Sequence, residues 1–490
     1  MPKQPSTLPL NLQQPPANTP LYRWLYEELR AAILAGRLPS GARLPATRDL
    51  AKQYGLSRPT IVTAFEQLRS EGYVEGKVGS GTYVSNTLPD ALLQAPRVKS
   101  AARASIRKTR FSDYAHRLPA FVRADFRPVR AFRASYPALD AFPTSLWAQV
   151  AARRLRRASV QLLGGGEALG YRPLREAVAE YLNTSRGVKC SPAQVLIISG
   201  VQQALDRAAH LLLNAGDTVW MEEPGYPGAA QAFEAIGARV CPVPVDDEGL
   251  NLEEGRERWP APRLVYVTPA HQFPMGMTMS LARRLSLLGW ARRSGTVIFE
   301  DDYDSEYRYS GRPIPALQGL DTAGVVIFAG SFSDVLFPGL RLGYLVVPPA
   351  MVDIFAAAES VSTHHPPLID QAILCDFISE GHFARHLRRM RELYAERLGV
   401  LLRCAREELH GLLEIPPVEA GLRTAAWLKG GISAEKAARS AAEREVDVLP
   451  LSRYAWGRTN SKGLVLGFAA VGTKEIRRGV QGLAQALKHG

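Results

Sequence analysis

The sequence predicts two modules of different fold class. A small, mostly helical N-terminal module ends in a β-hairpin, and a larger C-terminal α/β domain has a mainly parallel sheet. Helical periodicity begins at Leu21 and is followed by two shorter helical segments and a pair of short strands. From residue 131, apolar strands alternate with amphipathic helices, which is typical of a sheet covered by helices on both faces. Charge also differs between the modules, because residues 1–130 hold 20 Lys and Arg against nine Asp and Glu.

Composition limits the class of protein. The 490 residues are 46% apolar and 22% charged, as expected for a globular chain with more than one core. We find no apolar run of membrane-spanning length and no signal-peptide pattern, so we expect a cytoplasmic protein without a membrane partner. Four scattered cysteines without metal-ligand spacing indicate free thiols and no metal site. The positive charge of residues 1–130 favours a polyanionic partner, although a solvated basic tail would have the same composition.

The chain is expected to have four regions. Residues 1–19 are rich in Pro, Gln and Asn and have no apolar period, which predicts a disordered tail. Residues 20–86 form the N-terminal module and residues 131–490 the α/β domain. Residues 87–130 contain six basic residues and no acid from Arg97 to Arg110. This predicts a long basic linker, which is either a soluble spacer or a further contact for phosphates.

The N-terminal module begins with an amphipathic helix that Gly36 ends. Its inward face is predicted from the helical spacing of Leu21, Trp24, Leu25, Leu29, Ile33 and Leu34. A short helix capped by Thr47 is expected next, followed by a second helix capped by Ser57. Two short strands around Gly79-Ser80-Gly81 predict a hairpin. These elements in this order define a winged helix-turn-helix.

The same stretch resembles the DNA-binding domain of the GntR family. It reads LPSGARLPATRDLAKQYGLSRPTIVTAFEQLRSEGYVEGKVGSGTYV and matches the family pattern almost throughout, although Thr47-Arg48 stands where many members have Glu-Arg. The resemblance implies an operator in double-stranded DNA, with the second helix in the major groove. Arg58 on that helix can pair with a guanine edge, and the hairpin glycines let the wing approach the minor groove. The predicted DNA contacts are Arg43, Arg48, Ser57, Arg58, Thr60, Lys77, Gly79 and Gly81.

Seven apolar strands with helices between them predict the α/β domain. The strands are expected at Val195–Ser199, Thr218–Glu222, Arg239–Val243, Leu264–Val267, Val297–Glu300, Val325–Phe328 and Gly343–Val347. Helices such as Gln202–Asn214 and Leu281–Arg293 lie between them. Ligands of such sheets bind in the loops beyond the carboxyl ends of the strands, and the unusual residues of this chain cluster there.

The order of those loops resembles fold-type I aminotransferases across residues 131–490. In that family the turn at Ser199-Gly200-Val201-Gln202-Gln203 offers backbone amides to the phosphate of pyridoxal phosphate (PLP). An aromatic residue, here Tyr226, stacks on the pyridine ring, and Asp301 pairs with the ring nitrogen. Residues 330–344 read GSFSDVLFPGLRLGY and resemble the cofactor-lysine segment. The implied cofactor contacts are Gly200, Val201, Gln202, Tyr226, Asp301, Tyr303, Ser331, Ser333 and Arg341.

Asp334 stands where the resemblance places the lysine that forms an imine with PLP. It follows Asp301 by 33 residues, which suits the family, and no lysine lies between Cys190 and Leu428. A carboxylate cannot form an imine, and transamination also needs that lysine to move protons. The Asp334 carboxylate would also repel a phosphate roughly 5 Å away, which would weaken phosphate binding by about 3 kcal/mol. This repulsion is absent if Asp334 is protonated or pairs with Arg341. We therefore expect no catalytic residue and no aminotransferase activity.

A winged helix joined to such a domain resembles the MocR branch of the GntR regulators. The runs TPxHQFPxG, EDDYDSEYRY and SFSxxLFPGLRLGY are typical of that branch and occur in this chain. The resemblance implies a homodimer that senses PLP, often together with an amino compound. Arg453, in LPLSRYAWG, lies near the position of a carboxylate-binding arginine. Asp334 and Arg453 are therefore the predicted effector contacts.

Three interpretations of the sensor domain remain open. It binds PLP weakly without a covalent bond, or Asp334 is matched to an amine, or the pocket is vestigial and the domain only dimerises. An amine-matched site would favour pyridoxamine phosphate, a preformed aldimine or a free amino compound. The preferred function is a sequence-specific transcriptional regulator that senses such a small-molecule effector non-covalently. The alternatives are a PLP-dependent aminotransferase with an accessory DNA-binding domain and a ligand-blind architectural DNA binder.

Overall fold

A computed structural model describes residues 15, 19–77, 81–88, 110–119, 128–311, 315–457 and 462–489. The chain divides into two compact units, Met1–Arg110 and Phe111–Gly490. Most of the predicted tail and most of the predicted linker lie outside the described residues.

The described part of the N-terminal unit is a winged helix-turn-helix, as predicted. Its elements are α1 (Leu21–Leu34), α2 (Thr47–Tyr54), α3 (Arg58–Ser70), β1 (Val74–Lys77) and β2 (Gly81–Val84). The two strands pair antiparallel, with Val74 opposite Val84. Leu25, Ile61 and Leu68 lie fully buried in a core that the helices share with the hairpin. This burial of apolar side chains holds the helix-turn-helix and its wing together.

Two details of this unit differ from the sequence prediction. Leu21 and Leu34 are 44% and 41% exposed, because they lie at the two ends of α1 and the core covers its middle turns. Thr47 is not the N-cap of α2: the backbone of Ala46 is extended, so the helix begins at Thr47 itself. Helix α3 begins as predicted, since the Ser57 hydroxyl accepts a hydrogen bond from the Thr60 N–H at 3.3 Å.

The C-terminal unit contains an eight-stranded, mainly parallel sheet, which confirms the predicted fold class. Its strand order is β3-β10-β9-β8-β7-β4-β5-β6. The strands are β3 (Val195–Ile198), β4 (Thr218–Glu223), β5 (Arg239–Asp246), β6 (Gly249–Leu250), β7 (Leu264–Val267), β8 (Val297–Asp302), β9 (Val326–Ser331) and β10 (Gly343–Val346). Strand β10 runs antiparallel to both of its neighbours, and β6 runs antiparallel to β5. The seven predicted strands therefore all form, with ends that differ by a few residues.

Helices cover this sheet, and a second, smaller sheet follows it. The helices are α4 (Asp113–Arg117), α5 (Thr144–Arg156), α6 (Val160–Gly164), α7 (Arg172–Ser185), α8 (Val201–Leu212), α9 (Pro227–Ala235), α10 (Leu252–Arg258), α11 (Leu281–Ser294), α12 (Leu317–Leu320), α13 (Val352–Thr363), α14 (Leu368–Ser379), α15 (His382–Glu408), α16 (Ala434–Glu443) and α17 (Thr473–His489). The smaller sheet has the order β11-β12-β14-β13, from β11 (Leu413–Glu414), β12 (Arg423–Leu428), β13 (Leu449–Pro450) and β14 (Gly463–Gly467). We did not predict these four strands from the sequence.

Helix α4 lies within the stretch predicted as linker. Arg117 on this helix donates a hydrogen bond to the Ala235 carbonyl at 3.0 Å, and the Tyr114 ring lies 5.7 Å from the His210 ring. Residues 113–117 are therefore docked on the C-terminal unit. In the described residues we find no helix with the length and apolar character needed to cross a membrane.

The register of the large sheet brings several chain segments to one edge. Asp302 at the end of β8 lies opposite Gly330 near the end of β9. Because β10 runs antiparallel, its first residue, Gly343, lies between Ser331 on one side and Ile198 on the other. The segments that follow β3, β8 and β9 and precede β10 therefore meet at this edge, where α/β sheets bind ligands.

Candidate functional site

The N-terminal end of α3 presents the side chains predicted to contact DNA. Arg58 is the first residue of the helix and is exposed, and the Thr60 hydroxyl lies 2.8 Å from that of Ser57. Arg48 on α2 is also exposed and lies 3.4 Å from Asp49. Helix α3 thus offers an arginine and two hydroxyls on the terminus that enters the major groove in helix-turn-helix proteins.

The wing is described only in part. Gly81 has a φ of +115°, and a Cβ placed there would lie 3.1 Å from the Arg43 guanidinium. The structure therefore places Arg43 beside Gly81 at the base of the wing. Arg43 and Gly81 were both predicted to contact DNA. Gly79 and the Lys77 side chain lie outside the described residues.

A cavity of about 200 Å³ opens at the carboxyl edge of the large sheet. It is lined by every residue predicted to contact the cofactor, and by Asp334. The full lining is Ser135, Gly200, Val201, Gln202, Tyr226, Tyr266, Phe273, Asp301, Tyr303, Ser331, Ser333, Asp334, Arg341 and Arg423. The four residues among these that were not predicted as contacts are Ser135, Tyr266, Phe273 and Arg423.

Asp301 provides a buried acceptor in this cavity. Its Oδ2 accepts a hydrogen bond from the Tyr266 hydroxyl at 2.7 Å, whereas its Oδ1 is buried and has no partner among the described residues. Burial raises the pKa of Asp301 to about 7, although the Tyr266 hydrogen bond lowers it. A buried acceptor without a donor is costly, so a ligand N–H at this position would be stabilised. Asp301 therefore fits the ring nitrogen of a pyridinium compound.

Donors for an anion collect on the side of the cavity formed by the N-terminus of α8. The first N–H groups of a helix have no partner within the helix and carry partial positive charge. Gly200 precedes α8 with a φ of +101°, and a Cβ there would lie 3.4 Å from the Arg341 guanidinium. Ser331 and Ser333 border the same space, and the Ser333 N–H donates to the Ser331 hydroxyl at 3.1 Å. This arrangement suits a phosphate group.

Tyr226 and Phe273 form an aromatic wall. Their ring centroids are 5.4 Å apart and nearly perpendicular. Burial raises the pKa of Tyr226 to about 12, and Asp301 and Asp334 add to this rise. The phenol therefore stays neutral and presents an apolar face with one polar tip to the cavity.

Tyr303 belongs to a buried polar network behind the cavity. Its hydroxyl lies 3.0 Å from Nδ1 of His271, which in turn lies 2.8 Å from Asp304 Oδ1. Asp304 Oδ2 also accepts the Leu422 N–H at 3.3 Å. These contacts fix the Tyr303 ring at the cavity wall.

Asp334 lies in the loop after β9 and borders the cavity. Burial raises its pKa to about 6, Arg423 opposes this rise, and Asp304 adds to it. Among the residues that the structure describes, no hydrogen bond or ion pair joins Asp334 to Arg341, with which the sequence analysis allowed it to pair. Arg423 is the cation that lowers the Asp334 pKa.

Arg423 is the charged one of the four lining residues that were not predicted from the sequence. It begins β12 in the smaller sheet and is 2% exposed. Its guanidinium carbon lies 4.6 Å from the Phe273 ring centroid and 4.8 Å from that of Tyr303. The available signal was an arginine at the start of the apolar run RTAAWL. A charged residue there is unusual enough to mark a candidate site.

The structure does not place Arg453 in this cavity. Arg453 is exposed, in the short helix Leu451–Tyr454, and borders a separate surface groove with Arg133 and Arg439. Leu451 and Tyr454 take the inward positions of that helix and pack on the core. Arg453 therefore does not line this cavity, and its place at an effector site stays a prediction.

Comparison with known families agrees with this division into two units. Residues 21–84 match the model for bacterial regulatory proteins of the gntR family, and residues 136–451 match the model for aminotransferase class I and II.

Several curated relatives extend over nearly the whole chain, among them two regulators with specific names. A probable rhizopine catabolism regulatory protein, MocR, from Rhizobium meliloti is 44% identical, covering 96% of this chain and 94% of its own. A pyridoxine biosynthesis transcriptional regulator, PdxR, from Corynebacterium glutamicum is 28% identical and covers 99% of both chains.

A solved structure with the same C-terminal fold is LysN, an alpha-aminoadipate aminotransferase from Thermus thermophilus complexed with N-(5'-phosphopyridoxyl)-L-leucine. It is 31% identical, covers 77% of this chain and 97% of its own, and superposes with a TM-score of 0.70. With these relatives and both domains in place, the chain belongs to the MocR branch of the GntR family, whose members are DNA-binding transcriptional regulators.

Proposed function

We propose that this regulator senses a vitamin B6 phosphate or an amino compound, held without a covalent bond in the cavity of its C-terminal unit, and that it catalyses no transamination. The observation that supports this proposal most is the unpaired carboxylate oxygen of Asp301. Its Oδ1 is buried without a partner among the described residues, on the wall of a cavity that also holds donors for an anion.

The cavity residues fit PLP or pyridoxamine phosphate. Asp301 would accept the ring N–H, Tyr226 would cover the ring, and the N-terminus of α8 with Arg341 would hold the phosphate. Bound PLP supplies an electron-withdrawing ring and an aldehyde that reacts with amines. These contacts are hydrogen bonds, charge interactions and ring packing, so they remain available without an imine.

Asp334 supports the non-covalent part of the proposal. The cavity lining contains no lysine among the described residues, and a carboxylate stands in the loop after β9. Asp334 would accept hydrogen bonds from an ammonium group and would weaken binding of an anion next to it. The proposal therefore allows the amine form of the vitamin, or a separate amine, to be favoured over the aldehyde.

We propose a homodimer because several apolar side chains on the C-terminal unit are exposed to solvent. Val160 and Val361 are each 88% exposed, and Leu163 is 66% exposed. Helix α6, which carries Val160 and Leu163, packs through Leu162 on Leu368 and Ala372. Exposed apolar side chains of this kind favour coverage by a second copy. Sedimentation should then give a dimer at working concentration, and a monomer would contradict it.

Binding of the two B6 forms tests the proposal. PLP and pyridoxamine phosphate are titrated into the full-length protein by calorimetry, and each mixture is treated with borohydride and analysed by mass spectrometry. We expect at least one form to bind, with no covalent adduct after reduction. A borohydride-trapped adduct would contradict non-covalent binding, and failure of both B6 forms and of amino compounds to bind would contradict the sensor function.

A further inference from the structure

A short helix of the C-terminal unit lies on the ends of two helices that begin at the cavity. Helix α4 (Asp113–Arg117) contacts α8 through the Tyr114 ring, which lies 5.7 Å from the His210 ring. It contacts the end of α9 through Arg117, whose Nε donates a hydrogen bond to the Ala235 carbonyl at 3.0 Å. His210 lies in the last turn of α8, and Ala235 is the last residue of α9. Helix α4 therefore bridges the C-terminal ends of α8 and α9.

The opposite ends of α8 and α9 belong to the cavity. Val201 and Gln202 open α8 and line the cavity, and Tyr226 lines it immediately before α9 begins at Pro227. Gln202 joins these two ends, because its Nε2 donates a hydrogen bond to the Gly228 carbonyl at 2.9 Å. A ligand placed as proposed above, with its phosphate on α8 and its ring on Tyr226, would contact the start of both helices.

Close packing between α8 and α9 lets them respond as one body. Ala204 and Ala208 of α8 lie buried in one apolar cluster with Ala229 and Ala230 of α9. A close-packed interior has low compressibility and transmits a shift instead of absorbing it. Helix α8 has 12 residues and is therefore about 18 Å long. A ligand at the start of the two helices can thus affect the contacts at their other end.

Helix α4 is weakly held, so its docking can change. It has five residues, and an isolated helix of that length is not stable in water. Tyr114 and Ala115 are half-buried, whereas the other three residues of the helix are exposed. Residues 113–117 are therefore helical only while they rest on α8 and α9. This gives a docked and an undocked state, between which a small free energy shifts the population.

We propose that occupancy of the cavity strengthens the docking of α4, and that α8 and α9 transmit this effect. The inference rests on the proposed sensor function and goes beyond it by naming the segment on which the bound ligand acts. Helix α4 is the first described element after the N-terminal unit, which ends at Arg110. The ligand therefore acts on the segment of chain that leads to the DNA-binding unit. Because such coupling is reciprocal, docking of α4 also strengthens ligand binding.

Hydrogen exchange tests the inference. The full-length protein is exchanged with and without saturating PLP or pyridoxamine phosphate, and deuterium uptake by residues 111–118 is read by mass spectrometry. Bound ligand should slow exchange of this segment at least about fivefold, which is the lower end of ordinary coupling between two sites. Helix α10, which contributes no residue to the cavity lining, is the internal control and should change less. Equal exchange of residues 111–118 with and without bound ligand would overturn the inference.

Variants at the docking surface test the reciprocal effect. Tyr114→Ala combined with Arg117→Gln removes the two contacts described above and leaves the cavity lining unchanged. We expect this double variant to bind the same B6 form more weakly, by about the factor with which the ligand slows exchange of residues 111–118 in the wild type. Arg110→Gln, the same change at an exposed position outside α4, is the matched control and should bind as wild type. Unchanged B6 affinity in the double variant would count against the coupling.

Failure of this inference is distinguishable from failure of the sensor function. Calorimetry on the wild type shows whether a B6 form binds, and failure of both forms would refute the sensing of a B6 phosphate, on which the inference rests. Gln202→Ala tests the coupling without ligand, because it removes the tie between the starts of α8 and α9 and should speed exchange of residues 111–118. A wild type that binds a B6 form, while neither that ligand nor Gln202→Ala changes this segment, would refute the coupling and leave the sensor proposal standing.

Discussion

Replacement of Asp334 by asparagine removes a titrating group while keeping its size. Burial raises the pKa of this carboxyl from 3.8 to about 6. The folded protein therefore binds the proton more tightly than the unfolded chain, and stability falls as pH rises from about 4 to about 6. A shift of about two units corresponds to at most about 3 kcal/mol, which the charged form costs the folded state above pH 6. Asparagine does not incur this cost.

The free energy of unfolding of wild type and Asp334→Asn, without ligand, tests this between pH 4 and 8. We expect similar stability at pH 4 and an advantage of about 1–3 kcal/mol for the variant at pH 8, from urea or thermal unfolding. Asp247→Asn, a change at an exposed position, is the matched control and should show no such trend. A difference that does not change with pH, or a wild type that gains stability above pH 6, would refute a raised pKa at Asp334.

Three further outcomes follow from the two sites. Arg58→Ala should weaken specific operator binding by about 1–3 kcal/mol and relax its sequence preference. Unchanged operator affinity in anisotropy titrations would show that α3 does not lie in the major groove. Asp334→Lys should form an adduct with PLP that borohydride traps and mass spectrometry detects, because the variant has an amine in the loop after β9. A variant that binds PLP yet forms no adduct would refute the proposal that position 334 corresponds to the cofactor lysine. Asp301→Ala should weaken PLP binding by about tenfold in calorimetry, because the ring N–H would lose its charged acceptor, and unchanged affinity would mean that Asp301 does not meet the ring.

The predicted parts of the cavity come from local signals. Parallel strands bring their carboxyl ends to one edge, so the segments after β3, β8 and β9 could be placed together from their order alone. The resemblance of the loop motifs to fold-type I aminotransferases then supplied the residues, and Gly200, Asp301 and Arg341 all line the cavity. The winged helix followed from apolar spacing and turn residues in the same way.

The residues that were missed depend on contacts distant in sequence. Arg423 lies at the start of β12 in the smaller sheet. Its neighbours Phe273 and Tyr303 lie in segments that follow strands of the large sheet, about 120 to 150 residues earlier in the chain. Arg453 was predicted at the effector site because its position in the chain is near that of a carboxylate-binding arginine in the family it resembles. Its orientation is decided by Leu451 and Tyr454, whose burial turns it outward. Tertiary packing of this kind leaves no periodic signal in the sequence.

Operator affinity with and without ligand is the measurement that tests the central claim most directly. The operator is selected from random duplexes by the full-length protein. Its dissociation constant is then measured by anisotropy with PLP, pyridoxamine phosphate and amino compounds, singly and in pairs. A sensor should change operator affinity at least severalfold with one of these, and Arg341→Ala should abolish the response while ligand-free DNA binding stays intact. Operator binding that no ligand changes would contradict the account and leave a DNA-binding protein whose C-terminal unit has no sensory role.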